Sequence, residues 1–260
     1  MEGFIDKWSI SKEKVELIIT DNAPNIVLAA QSTFGKDKHV PYFDHTLNLV
    51  PKAALGHKTI NRDLVPNVPG VPELNKKVKA VIAFSHKSIN FSDEFKRVQM
   101  QRGESEGTCL RLLQDVPTRW GSTFLMLCRL MKMADIISLV ALKFPDVQMV
   151  SGSEMESRSS IKDILEPIHF ATTEMGAEKH TTASKAIPMA YLIEKRINEV
   201  NIPASNALAT AFKTFVKNEL KRRFGALQSV IPHSAATLID PRFLKITSLI
   251  QLPTAEPSLT

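Results

Sequence analysis

The sequence contains little cysteine, and this scarcity excludes two classes of protein. Cys109 and Cys128 are the only cysteines among 260 residues. A disulfide-rich secreted scaffold needs several cysteine pairs, and a zinc finger needs clustered Cys and His ligands, so neither is expected in this chain. Two such thiols are typical of a reducing compartment. The N-terminal residues also lack the apolar run of a signal peptide.

Long apolar runs are missing as well, which argues against a membrane span. The most apolar stretch covers residues 124–144, and charged side chains interrupt it at Arg129, Lys132, Asp135 and Lys143. Because a bilayer span needs about 20 mostly uncharged residues, this stretch is predicted to be a core helix. Glycine is scarcer than proline, at 10 against 15 residues, which predicts many helix boundaries joined by stiff connections.

The composition that remains is that of a globular protein with a basic excess. Hydrophobic residues make up 43% of the chain and charged residues 23%, proportions that allow a buried core. Lysine and arginine total 33 against 27 acidic residues, so the formal net charge is +6. This excess favours a polyanionic partner, nucleic acid first.

The first fifty residues alternate between strand and helix patterns. Residues 15–20 form a β-branched apolar run that ends at Asp21, which predicts a buried strand and a tight turn. A helix is predicted from Pro24 to about Ser32, ended by Gly35. A second short strand is predicted over residues 39–43, and Asp44 is predicted to cap the next helix.

Helical periodicity dominates after residue 51. Apolar residues from Leu74 to Ile89 repeat at helix spacing, and a long helix or kinked pair is predicted over 118–144. Further helices are predicted over 161–176, 184–200 and 205–224. Residues 151–160, rich in Ser and Glu, are predicted to be a mobile loop. The predicted fold class is mostly α with a small α/β part, followed by a disordered tail over 249–260.

Five motifs occur in one order along the chain. They are Ile-Thr-Asp-Asn-Ala-Pro-Asn within residues 8–26, Phe-Asp-His-Thr-Leu-Asn-Leu at 43–49, Asp-Val-Pro-Thr-Arg-Trp-Gly-Ser-Thr at 115–123, Leu-Glu-Pro-Ile-His-Phe-Ala-Thr within 165–188, and Leu-Ile-Asp-Pro-Arg-Phe at 238–243. Their order and spacing resemble those of the hAT superfamily of transposases, in particular the domesticated zinc finger BED domain-containing proteins.

The resemblance implies both a fold and a set of missing parts. Residues 1–50 would be a partial RNase H-like core, and residues 51–248 would be a large helical insertion domain. The family's N-terminal BED finger, first catalytic aspartate, catalytic glutamate and C-terminal dimerisation segment would lie outside this chain.

Asp21 matches the position of the family's second catalytic aspartate, so the resemblance implies a relic metal ligand. A two-metal transfer site needs several converging carboxylates, and one carboxylate cannot build it. The alternative role of Asp21 is to cap the following helix. We therefore expect no self-sufficient enzyme and no cofactor; Mg²⁺ or Mn²⁺ is expected only if the full-length protein holds a complete site.

Arg119 and Trp120 form the Arg-Trp pair of the third motif. A guanidinium can grip a phosphate and an indole can stack on an unpaired base, and the resemblance implies that this pair lies near transposon-end DNA. Trp120 also shares a helical stripe with Phe124 and Leu127, so it can instead be a core residue.

Two basic runs are further candidates for phosphate contacts. They are Lys76, Lys77 and Lys79, and Lys221, Arg222 and Arg223. The alternative interpretation of either run is a solvated helix face.

Three side chains are assigned to structural motifs. His45 resembles the histidine of the family's Cys-x-x-His pair, but Tyr42 stands in place of the cysteine. His45 is therefore expected to be a structural histidine at a helix start rather than a metal ligand. Asp240 and Arg242 belong to the last motif.

Three functions are compatible with the sequence. The first is a non-catalytic, transposase-derived nuclear protein that binds DNA weakly and in a salt-sensitive manner, with chromatin proteins or a full-length homologue as further partners and no membrane association. The second is a metal-dependent DDE-type transposase that is truncated in this chain. The third is a protein-interaction scaffold without a role on DNA.

Overall fold

The computed structural model describes residues 3, 7–21, 23–56, 68–116, 119–145, 150–176 and 183–243. The tail predicted over 249–260 lies outside these ranges. Within them the chain is mostly helical, with a small two-stranded sheet, as the sequence predicts. None of the helices in these ranges has both the length and the apolar character that a membrane crossing requires.

The strands are β1 (Ile18–Thr20) and β2 (His39–Pro41). The helices in the described part are α1 (Pro24–Phe34), α2 (Phe43–Ala54), α3 (Val71–Lys87), α4 (Ile89–Gln101), α5 (Trp120–Lys132), α6 (Ala134–Ala141), α7 (Gly152–Gly176), α8 (Ala183–Glu199), α9 (Ala207–Phe224) and α10 (Ile231–Ile239).

The first fifty residues form the predicted order β1-α1-β2-α2. β1 and β2 pair in parallel, with Ile18 opposite His39, and α1 makes the crossover that a parallel pair requires. The prediction that Asp21 caps α1 is wrong. Its Oδ1 accepts the N–H of Ala23 at 3.1 Å, and Ala23 is itself the N-cap residue, so Asp21 stabilises the turn before the helix.

The boundaries of α1 and α2 can be compared with the predicted ones. Asp44 lies inside the first turn of α2 rather than at its cap, because the helix begins at Phe43. α2 also continues through Pro51 to Ala54. α1 ends where predicted, at Gly35, which has a φ of 97° that a residue with a Cβ rarely adopts.

The prediction of a mobile loop over residues 151–160 is wrong. α7 begins at Gly152, and Ser151 and Glu154 form a reciprocal cap at its start. The Ser151 N–H donates to Glu154 Oε2 at 2.9 Å, and the Glu154 N–H donates to Ser151 Oγ at 3.2 Å. Arg158 is buried one turn later. The polar side chains of this stretch therefore form a helix cap and buried contacts.

The apolar stripe from Leu74 to Ile89 covers two helices instead of one. Ser88 separates α3 from α4, and its hydroxyl accepts the N–H of Phe91 at 3.2 Å as an N-cap. Ile89 is 77% exposed and does not belong to the core. The kinked pair predicted over 118–144 is confirmed as α5 and α6, which meet at Met133.

The chain divides into two compact units, each discontinuous in sequence. The first comprises residues 1–50, 170–196 and 218–260, and the second comprises residues 51–169 and 197–217. In the first unit the rings of Phe43 and Phe224 lie 4.8 Å apart. In the second, the ring of Phe91 packs edge-on against Phe84 at 5.6 Å and at a tilt against Phe144 at 5.3 Å. The limits 1–50 and 51–248 for an RNase H-like part and its insertion stay predictions.

Candidate nucleic-acid interface

Trp120, the first residue of α5, is part of the core of the second unit. It is 3% exposed, and its indole meets the His169 ring edge-on at 5.8 Å. Phe124, one turn along α5, packs on the same imidazole at 4.4 Å. Burial lowers the pKa of His169, which keeps this ring uncharged at neutral pH. The indole therefore cannot stack on an unpaired base unless the core opens.

Arg119, the neighbour of Trp120, is exposed. It is the N-cap residue of α5, in extended conformation, and its carbonyl accepts the Ser122 hydroxyl at 2.6 Å. Its N–H donates to Val116 O at 2.9 Å. The two residues of the Arg-Trp pair therefore differ in environment, since the guanidinium is on the surface and the indole is in the core.

An extended segment, residues 110–116, lies antiparallel to α5. Near its start, Arg129 Nη1 donates to the carbonyl of Arg111 at 2.6 Å. At its other end, the N–H of Val116 donates to the Ser122 hydroxyl at 2.7 Å. These contacts place Arg111, the basic residue of the segment, beside Arg129 of α5.

The one acidic side chain of this region is buried and paired. Residues 109–133 contain Asp115 as their single acidic residue. Its Oδ2 lies 2.8 Å from Lys79 Nζ and accepts the Thr123 hydroxyl at 3.1 Å. The four cations of the region are hereafter called the basic ribbon: Arg111, Arg119, Arg129 and Lys132. Arg129 is half-buried and the other three are exposed.

The first predicted basic run contributes little free charge to the surface. Lys77 lies 2.5 Å from Glu154, and Lys79 is the partner of Asp115. Lys76 is exposed on α3. Two of the three lysines are therefore engaged with carboxylates in the same unit.

Two residues of the second predicted run bond the same carboxylate in the first unit. Glu219 lies 2.9 Å from Arg222 and 3.0 Å from Arg223, and it bonds both guanidinium groups through Oε2. Burial alone would raise the pKa of Glu219, but the hydrogen bonds and charges of the two arginines lower it overall. Lys221 is exposed.

Two comparisons with known proteins bear on the origin of these motifs. The family model described as the ZBED1 RNase-like helical domain matches residues 40–166, a range that includes the whole basic ribbon. Human zinc finger BED domain-containing protein 4 is 24% identical over 244 residues, which cover 94% of this chain and 19% of that relative. Together, the two matches support a hAT-derived protein of the zinc finger BED type. This chain spans less than a fifth of the length of the curated relative, and no solved structure gives a significant match.

In this zinc finger BED-type chain the described residues do not form the metal site of a transposase. Asp21 is exposed after β1, and its Oδ1 is bonded to the backbone of Ala23. Across the described ranges no group of three or more His, Cys, Asp or Glu side chains is placed to hold a metal ion. These residues do not fit a two-metal centre, so we derive no metal-dependent step.

The residues assigned to structural motifs have well-defined positions. His45 lies in the first turn of α2, and its role as a structural histidine stays a prediction. Tyr42, at the family's cysteine position, donates its hydroxyl to Met175 O at 3.4 Å. Arg242 donates to both carboxylate oxygens of Asp240, at 3.0 and 2.7 Å, and the bond from Arg242 holds the pKa of that carboxyl well below its usual range.

Sequence reasoning missed Arg111 and Arg129 as members of a surface. Arg129 interrupts an apolar stretch and follows the Arg-Trp motif, and Arg111 belongs to none of the five motifs. The signal that could have identified them is the near absence of acidic residues over 109–133, where Asp115 is the single exception.

Proposed function

We propose that this hAT-derived chain is non-catalytic, acts in the nucleus, and associates with DNA through the basic ribbon. The observation that supports the proposal most directly is the charge of that surface. Its four cations are accompanied by a single carboxylate within residues 109–133, and Asp115 is already neutralised by Lys79 inside the fold. Exposed cations in excess of carboxylates attract the phosphates of DNA.

The length of the ribbon suits contacts with several phosphates. Arg119 and Arg129 are ten residues apart on and beside α5, which corresponds to about 15 Å along a helix. That span is comparable to the width of the major groove of B-DNA, about 12 Å. Contacts of this kind position a protein on the duplex and carry no sequence information, so binding should be sequence-blind and weakened by salt.

The proposal includes the RNase H-like origin of the first fifty residues. The parallel β1-α1-β2 unit supports it, because a parallel strand pair with a helical crossover is one building block of such a core. The proposal assigns no catalytic step to Asp21, since one exposed carboxylate cannot hold two metal ions.

The test compares two triple variants of equal charge in duplex DNA binding at several salt concentrations. The first is Arg111→Gln, Arg119→Gln and Lys132→Gln, all exposed ribbon positions. The control is Lys76→Gln, Lys87→Gln and Arg102→Gln, exposed positions on or next to α3 and α4. For the ribbon variant, we expect the slope of log affinity against log salt to fall by about 0.9 for each lost phosphate contact.

The control variant should keep the slope of the unaltered chain. Equal losses in both variants would mean that net charge alone attracts DNA and that the ribbon is no interface. Absence of binding at low salt would reject the DNA role and favour the protein-interaction scaffold. Imaging of a tagged chain in cells tests the nuclear location.

A further inference from the structure

A cleft of about 180 Å³ opens in the first unit, beside β2, the start of α2 and the segment that follows α9. Most of its wall is apolar and includes Phe43, Phe224 and Val230. Small-molecule and cofactor pockets commonly measure about 300–1,000 Å³. This cleft therefore has room for one ring-sized group rather than for a cofactor.

The charge at the cleft comes from Arg223. This side chain lines the cleft and is 12% exposed. It bonds Glu219 through Nε and Nη2, and its Nη1 makes no hydrogen bond within the described part of the chain. Glu219 also neutralises Arg222, so one carboxylate serves two guanidinium groups. Arg223 is the one Lys or Arg side chain among the described residues that line the cleft, and none of those residues is acidic.

Two imidazoles complete the wall, and hydrogen bonds hold both of them in place. His233 is 4% exposed, and because a carbonyl only accepts, its Nδ1 donates to Ala183 O at 3.2 Å. His39 Nε2 lies 2.8 Å from the Thr20 hydroxyl. The polar part of the wall is therefore fixed before any ligand arrives, which lowers the entropy lost on binding.

We propose that this cleft binds a carboxylate carried on an apolar body about one aromatic ring in size, with the carboxylate at Arg223 and the ring against Phe43, Phe224 and Val230. Because Nε and Nη2 bond Glu219, the carboxylate of the ligand would accept from Nη1. One guanidinium in the wall fits a monoanion, whereas a phosphate monoester carries a charge of about −1.5 to −2 at pH 7. The site uses residues of the first unit only and does not depend on DNA binding by the basic ribbon.

The experiment titrates the full chain with three probes of the same ring size and follows backbone amide shifts. Benzoate supplies the carboxylate, benzamide is its neutral isostere, and phenyl phosphate supplies the alternative anion. We expect benzoate to bind about tenfold more tightly than benzamide, because its hydrogen bonds to Arg223 are charge-assisted. The shifts should centre on residues 226–233. Benzoate should also bind more tightly than phenyl phosphate.

Two pairs of variants separate this site from general electrostatics. Arg223→Gln should abolish the preference for benzoate over benzamide, and Lys221→Gln, an exposed neighbour with the same charge loss, should leave it intact. Ala226→Phe should fill the cleft and remove binding of both probes. Ser229→Phe, an exposed position outside the cleft, should not.

Several outcomes would overturn the proposal. Equal affinity for benzoate and benzamide would show that Arg223 does not bind the carboxylate. Equal losses in the Arg223 and Lys221 variants would assign the effect to surface charge. Tighter binding of phenyl phosphate would make this a phosphate site. Should Arg223→Gln fail to fold, the Ala226 and Ser229 variants still decide the matter, since equal binding by both would exclude the cleft.

Discussion

The carboxylate of Asp115 and the ammonium of Lys79 lie 2.8 Å apart, with the Asp115 side chain 4% exposed and that of Lys79 40% exposed. Removing the lysine would leave a buried carboxylate whose one remaining side-chain hydrogen bond within the described part of the chain comes from the Thr123 hydroxyl, at 3.1 Å. We therefore expect Lys79→Met to lower the free energy of unfolding by about 2 kcal/mol, the usual cost of losing a hydrogen bond to a buried charge.

Urea unfolding of the Lys79→Met chain measures this effect. Lys76→Met, an exposed substitution on the same helix, is the control and should change stability by less than about 0.5 kcal/mol. Equal stability of the two variants would show that Lys79 is not needed to neutralise Asp115 and is free to contact DNA.

The cap of α7 predicts a dependence of stability on pH. The hydrogen bond from Lys77, followed by that from the Ser151 backbone, lowers the pKa of Glu154 from 4.5 to about 2. A carboxyl with a lowered folded pKa contributes stability above its unfolded pKa and loses it as the pH falls. We expect the contribution of Glu154 to be complete above about pH 5 and to disappear between pH 4.5 and about 2.

The measurement is the free energy of unfolding from pH 6 down to pH 3. Glu154→Gln should flatten this profile, because the amide does not titrate. Glu156→Gln, an exposed position on the same helix, should keep the slope of the unaltered chain. Identical profiles for both variants would contradict the assignment.

Local patterns in the sequence were sufficient to predict many of the elements. Apolar periodicity located α8 and α9, and Gly35 marked the end of α1. The composition led to a wrong prediction for residues 151–160, where two residues indicate a helix start. Ser151 and Glu154 match the Ser-x-x-Glu capping pattern, yet the surrounding serines made the stretch resemble a loop.

The candidate sites were harder to predict because their residues come together only in the fold. Arg129 reaches the backbone of Arg111 across 18 positions, and Arg223 meets His39 at one cleft although they are far apart in sequence. No local pattern encodes such contacts. The Arg-Trp motif shows the reverse case, since a recognisable pair is divided between the surface and the core.

Tryptophan fluorescence tests the burial of Trp120 directly. The chain has two tryptophans, and Trp8 is 62% exposed whereas Trp120 is 3% exposed. In a Trp8→Phe variant the remaining emission should be blue-shifted and poorly quenched by acrylamide. Adding a single-stranded oligonucleotide should leave it unchanged. Strong quenching by the oligonucleotide would show that the indole leaves the core to stack on a base.

Hydrogen exchange tests the stability of the small sheet. β1 and β2 contain three residues each, and a two-stranded sheet is at best marginally stable by itself. We expect the amides of residues 18–20 to exchange faster than those around Phe91 in the core of α4. Stronger protection in β1 than in α4 would contradict this expectation.

Arg158 is a charged side chain that is buried in the second unit. The side chain is 1% exposed, and burial lowers the pKa of its guanidinium to about 10, which leaves it charged at neutral pH. Nη2 donates to Leu74 O at 3.0 Å, but Nε has no partner among the described residues. An incompletely bonded buried charge contributes little net stability, because its loss of hydration offsets its contacts.

Substitution should therefore separate the packing of Arg158 from its charge. Arg158→Met keeps much of the buried volume and should change the free energy of unfolding by less than about 1 kcal/mol, or raise it. Arg158→Ala leaves a cavity and should cost about 3 kcal/mol. Chemical denaturation of both variants makes the comparison. A loss in Arg158→Met as large as that in Arg158→Ala would mean that the bond to Leu74, rather than the volume of the side chain, holds α7 against α3.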